Sequence, residues 1–194
     1  MSPGANFTIV GRRPLYSAER IRRKVAALAR RIELAYRGSE LVLVGVLNGG
    51  VPFLADLARE LSVPVRIDFV RVRSYGAGSA PEGGVEIAKD VEIDVAGKHV
   101  LIVEDIIDTG NTAAYLQRHL GEKGAASVRF CVLVDKRERR EVELEIEFRG
   151  FLLKQGFVVG YGMDYAGDYR QLPQIYALPL PADGRGSTED NDDH

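Results

Sequence analysis

The chain has 194 residues, 45% of them hydrophobic and 28% charged, which is ordinary for a single globular domain with one core. Its net charge of -2 gives no general attraction for nucleic acid, and no apolar run approaches the roughly 20 residues of a membrane span. The single cysteine, Cys131, excludes an internal disulfide and, with no apolar signal-peptide core near the N-terminus, favours the cytoplasm.

The N-terminal part of the chain predicts helices that alternate with strands. Ser17 is a good helix N-cap residue, and apolar residues recur at helical spacing from Ile21 to Ile32. A continuous apolar run then predicts a buried strand, which Asn48 and the two glycines after it interrupt. The predicted elements are a helix after Ser17, a strand at Leu41–Leu47, a helix at Val51–Leu61 and a strand at Val65–Val72.

A stretch rich in glycine, serine and alanine follows, from Ser74 to Gly84. Such residues cannot pack a core, so the stretch is either a flexible hairpin connection or a mobile lid over a site. Alternating apolar residues from Val85 to Val95 then predict returning strands.

The most informative stretch runs from Val100 to Thr112. Four apolar residues predict a buried strand, and two carboxylates at its end, Glu104 and Asp105, point to opposite faces. A turn of small residues from Asp108 to Thr112 leads into a predicted helix at Ala113–Lys123. Free N–H groups at a helix start can bind an anion, and neighbouring carboxylates can bind sugar hydroxyls or a hydrated metal ion. The pattern suggests a phosphorylated sugar as the ligand. On the pattern alone, a plain strand–helix connection with Asp or Thr as the helix cap is an equally good interpretation.

The second half of the chain continues the alternation. A strand is predicted at Ser127–Val134, and the strand–helix–strand order implies a right-handed crossover and a parallel sheet. Lys136 comes directly after this strand. A lysine there is usually only solvated, but at the ligand edge of an open α/β sheet it can donate hydrogen bonds to a carbonyl oxygen. Strict alternation predicts another strand at Val142–Phe148.

Two motifs carry a resemblance to a known family. Glu-Asp-Ile-Ile-Asp-Thr-Gly-Asn-Thr, residues 104–112, resembles the phosphoribosyl-pyrophosphate (PRPP) loop of type I phosphoribosyltransferases, in the form found in the hypoxanthine-guanine enzymes. Phe-Val-Val-Gly-Tyr, residues 157–161, resembles the base-binding strand of that family. The resemblance implies a mostly parallel, twisted sheet flanked by helices, with a small hood formed by the N- and C-terminal parts. We expect one domain over residues 1–182 and a disordered tail over residues 183–194.

The resemblance also implies a reaction and its ligands. The phosphoribosyl group of PRPP is transferred to hypoxanthine or guanine, which gives IMP or GMP and pyrophosphate, with Mg²⁺ as cofactor. The expected assembly is a homodimer or homotetramer, with neither nucleic acid nor membrane as a partner.

The implied PRPP site combines three segments. The 5′-phosphate is expected to lie in the turn, and the ribose hydroxyls on the two carboxylates. Pyrophosphate is expected at the loop after the first strand, which carries an unusual cis peptide in the family, and at an arginine near the C-terminus. The residues concerned are Asp108, Thr109, Gly110, Asn111 and Thr112 for the phosphate, Glu104 and Asp105 for the ribose, and Asn48, Gly49 and Arg170 for pyrophosphate.

The implied purine site lies at the other end of the ribose. Lys136 is expected to contact the purine 6-oxo group, Phe157 to stack on the ring, and Val158 to contact its edge through backbone atoms. Asp108 is expected to accept the proton of purine N7. Asp164 is expected to border the purine site and, with Glu104 and Asp105, to hold Mg²⁺, and Ser74 and Tyr75 are expected to begin a catalytic lid.

The chain departs from the family pattern at two places, and two alternative functions remain open. Asn48 replaces the Lys or Arg of many family members, which removes a charge, and Leu153-Lys154-Gln155 replaces Ile-Pro-Asp at the rim of the base pocket, which leaves the choice among purines open. The first alternative is a relative that uses xanthine or another purine. The second is an RNA-binding regulator on the same fold, which the retained acidic residues and the absence of a concentrated basic face outside the first helix disfavour.

Overall fold

The structure is a computed structural model that describes residues 12–74 and 85–179. Tyr75, most of the predicted lid and the predicted C-terminal tail lie outside these ranges. Among the described residues, no helix is long and apolar enough to cross a membrane. The elements in chain order are α1 Ala18–Ala35, β1 Leu41–Val46, α2 Val51–Glu60, β2 Val65–Ser74, β3 Val85–Lys89, β4 His99–Ile107, α3 Asn111–Glu122, β5 Ser127–Lys136, β6 Phe148–Leu153, β7 Phe157–Val159 and β8 Tyr176–Leu178.

Six strands form one sheet in the order β3-β2-β1-β4-β5-β6. The β2–β1, β1–β4, β4–β5 and β5–β6 pairs are parallel, and only β3, at one edge, is antiparallel to its neighbour. The short strands β7 and β8 form a separate antiparallel pair, and a bridge between Tyr16 and Ile175 joins the two ends of the described chain beside it. The predicted mostly parallel sheet with a small hood is therefore confirmed.

The central strands are mostly apolar because both faces of the sheet are covered. One face of β1 and β4 packs with α1 and α2, and the other face packs with α3. Successive side chains of β4 alternate between the two faces, so that Leu101 packs with α1 and α2 and Ile102 packs with α3. The predicted cap of α1 is also present, because the Ser17 hydroxyl accepts a hydrogen bond from the Arg20 N–H at 3.2 Å.

The strand predicted at Val142–Phe148 is wrong, apart from Phe148, which begins β6. Leu144 and Ile146 pack on the α3 face of the core, although residues 141–147 do not pair with a strand. The N–H groups of Glu141 and Val142 donate to the carbonyl of Thr109 instead. The alternation therefore reflects a segment with one buried side, which needs no partner strand.

The returning strands predicted at Val85–Val95 are only partly present, because β3 ends at Lys89. The carboxylate of Asp68, which is buried in β2, accepts hydrogen bonds from the N–H groups of Glu92 and Ile93 at 2.6 and 2.8 Å. These two donors are thus bound to a side chain and not to a neighbouring strand, and residues 90–95 form a loop.

Candidate active site

The loops that carry the predicted site residues meet at one edge of the sheet. Strands β1, β4 and β5 are parallel neighbours, so their carboxyl ends point the same way. The loop at residues 47–50, the turn at residues 108–110 and the segment at residues 137–147 follow these strands. Open α/β sheets bind their ligands at this edge.

Glu104 and Asp105 lie within β4 and not at its end, because the strand continues to Ile107. Both are buried, and Oε2 of Glu104 has no hydrogen-bond partner among the described residues. Burial raises the pKa of Glu104 to about 8, with a further contribution from the Asp105 charge, and burial raises the pKa of Asp105 to about 6. Oε2 of Glu104 therefore lacks a partner that would stabilise its charged form, and a bound cation or a sugar hydroxyl would supply one. Asp105 is different, because backbone hydrogen bonds and the charge of Arg170 partly stabilise its charged form.

The loop after β1 lies directly against one of these carboxylates. A β-carbon placed on Gly49 would stand 2.0 Å from Oδ2 of Asp105, and a β-carbon on Gly162 would stand 2.0 Å from the carbonyl oxygen of Gly49. The peptide between Leu47 and Asn48 is cis, so the cis peptide that the family resemblance implied is present in this loop. The backbone around Gly49 is accordingly packed between the β4 carboxylate and the C-terminal loop.

Arg170 and Asp164 complete this end of the site. Nη2 of Arg170 lies 2.7 Å from Oδ1 of Asp164, and its Nη1 donates to the carbonyl of Gly162 at 2.7 Å. The N–H of Gly167 donates to Oδ2 of Asp164 at 2.8 Å. The charges of Arg170 and Asp164 both act on Asp105, the first lowering and the second raising its pKa. Four of the predicted residues, Gly49, Asp105, Asp164 and Arg170, are thus brought together.

The turn after β4 has the form expected of an anion cradle. Gly110 has a φ of +92°, a left-handed conformation that favours glycine, and it is the cap residue of α3. It makes no side-chain capping bond, and the first turn of α3 contains no acidic residue. The N–H groups at the start of a helix are without partners in the helix itself, and the helix dipole favours a negative charge there.

Asp108 lies at the start of this turn and faces the loop after β5. Nζ of the buried Lys136 is 3.5 Å from Oδ2 of Asp108 and 3.4 Å from Oε2 of Glu138. Arg139 also pairs with Oδ2 of Asp108, and its Nε donates at 3.0 Å. Arg139 is one of several basic residues in this loop, and no sequence pattern predicts that it is the one that pairs with Asp108.

An ion-pair cluster around a buried aspartate supports the loop behind Lys136. Asp135 is completely buried at the end of β5, and the sequence did not single it out. Its carboxylate contacts Nη2 of Arg140 at 2.5 Å, Nε of Arg149 at 2.9 Å and Nε of Arg137 at 3.2 Å. Arg140 also donates from Nε to the carbonyl of Asp108 at 2.9 Å. The cluster therefore connects the end of β5 to the backbone of the β4 turn.

Two of the predicted purine-site residues lie in the hood. Phe157 and Val158 are in β7, where Val158 is buried and Phe157 is half-buried with its ring edge-on to Tyr165 at 5.6 Å. Ser74 is the last residue of β2. The predicted purine site is thus divided between the small hood sheet, with Phe157, and the main sheet, with Lys136.

Tyr161 ends the motif at residues 157–161, and its contact in the structure was not predicted from the sequence. It has a φ of +51°, and its hydroxyl donates a hydrogen bond of 2.6 Å to Oδ2 of Asp56 in α2. The glycine on each side of it also has a positive φ, which allows the sharp turns after β7. Tyr161 therefore joins the hood loop to the helix that follows Gly49.

The carboxylates present fit a magnesium ion that shares oxygen ligands with a substrate. Over residues 12–74 and 85–179, no group of three or more His, Cys, Asp or Glu side chains is arranged to hold a metal ion. Mg²⁺ commonly keeps several waters and takes one or two carboxylates together with substrate phosphate oxygens. The unpartnered oxygen of Glu104 and the buried carboxylate of Asp105 are suitable hard ligands for that arrangement.

Comparison with known proteins identifies the class. A family model described as the phosphoribosyl transferase domain matches residues 13–166, so the chain belongs to this family. It is 48% identical over 162 residues, 82% of this chain and 91% of the relative, to a hypoxanthine phosphoribosyltransferase from Salmonella typhimurium. It is 42% identical over 164 residues, 84% of this chain and 91% of the relative, to a hypoxanthine-guanine phosphoribosyltransferase from Streptococcus pneumoniae.

A solved structure agrees with these sequence matches. The crystal structure of a hypoxanthine-guanine phosphoribosyltransferase from Bacillus anthracis superposes with a TM-score of 0.82 at 41% identity. The match covers 87% of this chain and 99% of that one. The predicted family, fold and enzyme class are confirmed.

Proposed function

We propose that this chain transfers the phosphoribosyl group of PRPP to a 6-oxopurine, hypoxanthine or guanine, with release of pyrophosphate, in purine salvage. The observation that carries the proposal is the contact of 3.5 Å between Asp108, in the anion-binding turn, and the buried Lys136. A carboxylate and an ammonium side by side match the N7–H donor and the 6-oxo acceptor of such a base. The activities named for the relatives support the same reaction.

PRPP binds along the edge of the sheet in this proposal. The 5′-phosphate lies in the turn at residues 108–112, on the N–H groups at the start of α3. The ribose hydroxyls bind Glu104 and Asp105, and pyrophosphate binds the backbone of Asn48 and Gly49 together with Arg170. The left-handed Gly110 and the contact between Gly49 and Asp105 support this placement.

The base lies between the main sheet and the hood. Lys136 donates to the 6-oxo oxygen, Phe157 stacks on the ring, and backbone atoms of Val158 contact its edge. Asp164 borders this space. Ser74 and Tyr75 begin a lid that excludes water, which would otherwise hydrolyse PRPP.

The reaction is a displacement at the anomeric carbon, during which positive charge develops on the ribose ring. Binding in the turn positions this carbon against the base, and Glu104 and Asp105 stabilise the developing cation. Asp108 accepts the proton of N7 as the new C–N bond forms. Glu104, Asp105 and Asp164 are the residues that would hold Mg²⁺, which, when bound, neutralises charge on the leaving pyrophosphate.

A four-base activity assay tests the proposal. The purified chain is given PRPP and Mg²⁺ with hypoxanthine, guanine, xanthine or adenine, and nucleotide formation is measured. Hypoxanthine or guanine is expected to react, because Lys136 needs an oxo acceptor. Reaction with adenine alone would contradict the role of Lys136. Reaction with xanthine alone would make the chain a related enzyme with a different base specificity, set by the pocket rim at Leu153-Lys154-Gln155.

The cellular context is also a proposal. We expect a cytoplasmic homodimer or homotetramer that uses PRPP and purine bases and has neither nucleic acid nor membrane as a partner. Sedimentation of the purified chain measures its oligomeric state. Tight, salt-dependent binding of RNA without turnover of PRPP would instead favour the RNA-binding regulator.

A further inference from the structure

The two carboxylate oxygens of Asp108 have very different surroundings. Oδ2 accepts two hydrogen bonds from Arg139, with Nε at 3.0 Å, and also faces Nζ of Lys136 at 3.5 Å. Oδ1 is buried and has no hydrogen-bond partner among the described residues. A buried acceptor without a partner is unfavourable, and a substrate N–H would satisfy it.

The charges around Asp108 show why two cations are needed there. Lys136 is shared between Asp108 and Glu138, at 3.5 and 3.4 Å. In the proposed reaction Lys136 must turn to the 6-oxo oxygen of the base, which weakens its contact with Asp108. Without a second cation, the carboxylate would then be left unpaired in a largely buried position, at a considerable cost in free energy. Arg139 is that second cation.

Neighbouring residues hold the backbone of Asp108 independently of Arg139. Arg140 donates to the carbonyl oxygens of Ile107 and Asp108, at 3.3 and 2.9 Å, and is itself paired with the buried Asp135. Among the described residues, the hydrogen bonds from Arg139 to Asp108 go to its carboxylate and not to its backbone, and the side chain of Arg139 is 65% exposed. Removing the Arg139 side chain should therefore disturb the orientation of the carboxylate without unfolding the turn.

We propose that Arg139 is a positioning residue, which holds Oδ2 of Asp108 so that Oδ1 faces the N–H of the purine and Lys136 is released for the oxo group. The inference rests on the proposed function, since it assigns a partner to the proton acceptor of that reaction. Arg139 acts through Asp108 and does not itself touch the reacting atoms.

The test compares Arg139→Gln with two matched variants. Arg139→Gln is expected to lower kcat roughly tenfold to a hundredfold, because misplaced reacting groups cost rates of that order, while the KM for PRPP stays near that of the wild type. Arg139→Lys keeps the charge and is expected to recover part of the loss. Arg137→Gln, in the same loop, is expected to stay within about twofold, because Arg137 pairs with Asp135, which keeps two other arginine partners.

A double-mutant cycle with Asp108→Asn separates action through Asp108 from a direct effect. If Arg139 acts through Asp108, Arg139→Gln causes no further loss of kcat in the Asp108→Asn background. The same loss in both backgrounds, or an Arg139→Gln variant as active as the wild type, would overturn the inference while the proposed function stands. A wild-type chain without PRPP-dependent activity on any of the four bases would overturn the proposed function, and the role of Arg139 with it.

Discussion

The carboxylate of Asp105 occupies the space where a side chain on Gly49 would begin. Oδ2 of Asp105 would be only 2.0 Å from a β-carbon at Gly49, far inside van der Waals contact. On its other side, the carbonyl of Gly49 lies equally close to where a β-carbon of Gly162 would stand. Three segments that are distant in sequence thus meet without room for a methyl group, with the Asp105 side chain on one side of Gly49 and the backbone of Gly162 on the other.

Gly49→Ala is therefore expected to displace the Asp105 carboxylate or the loop. Either change moves groups that we assign to the ribose and pyrophosphate of PRPP, so kcat/KM for PRPP should fall by roughly tenfold or more. Steady-state kinetics with PRPP as the varied substrate measures this.

Gly121→Ala is the matched control, because no heavy atom lies within 4 Å of the added methyl group in α3. It should leave kcat/KM unchanged. Equal kinetics for the two variants would contradict the placement of PRPP.

Asp108→Asn is expected to lower kcat by about 10²-fold or more, because an amide cannot accept the N7 proton. Turnover of hypoxanthine at saturating PRPP is the measurement. Asp94→Asn serves as a control, since the carboxylate of Asp94 accepts the N–H of Ala96 at 3.0 Å in an exposed turn before β4. A near-normal kcat in Asp108→Asn would remove Asp108 from the role of base.

Phe157→Ala is expected mainly to raise the KM for the purine. Stacking of a base on an aromatic ring contributes about 1–3 kcal/mol, so the KM should rise roughly fivefold or more. Phe157→Tyr keeps the ring and should retain most of the affinity. The KM for PRPP is an internal control, because Phe157 lies in the hood sheet and not at the phosphate turn. An unchanged purine KM would argue against stacking.

The buried Glu104 makes the stability of the ligand-free chain depend on pH. Its pKa is raised by burial from 4.5 to about 8, so the folded chain retains a proton that the unfolded chain releases between these values. The free energy of unfolding therefore falls as the pH rises through this window. Glu104→Gln removes this dependence. The thermal midpoint of this variant should therefore rise relative to that of the wild type as the pH is raised from about 5 to about 8.

Thermal unfolding of both proteins across this pH range is the measurement. About 1 kcal/mol moves the midpoint of a chain of this size by roughly 2–4 °C, so the divergence is readily detected. Asp105→Asn should reduce the effect, since the Asp105 charge contributes to the raised pKa of Glu104. Parallel midpoint curves for wild type and Glu104→Gln would show that Glu104 is not buried as described.

Periodicity in the sequence was a good guide where it reflected a local pattern. Helix α1 begins directly after its predicted cap at Ser17, and the apolar run of β1 is buried between two layers of helices. It failed at residues 142–147, because one buried side produces alternation whether or not a strand pairs there. The end of β4 was also predicted too early, at Glu104 and Asp105, because a strand can carry carboxylates when they serve a site.

By itself, the sequence determined the class of fold and the nature of the site. The turn at residues 108–112, with its left-handed Gly110, depends on residues that are adjacent in the chain, and such local chemistry can be recognised without coordinates. Only the tertiary structure decided that Arg139, and not Arg137 or Arg140, pairs with the Asp108 side chain. It alone brought Gly49 against Asp105, because contacts between distant segments depend on how the strands and helices pack, which no local pattern records.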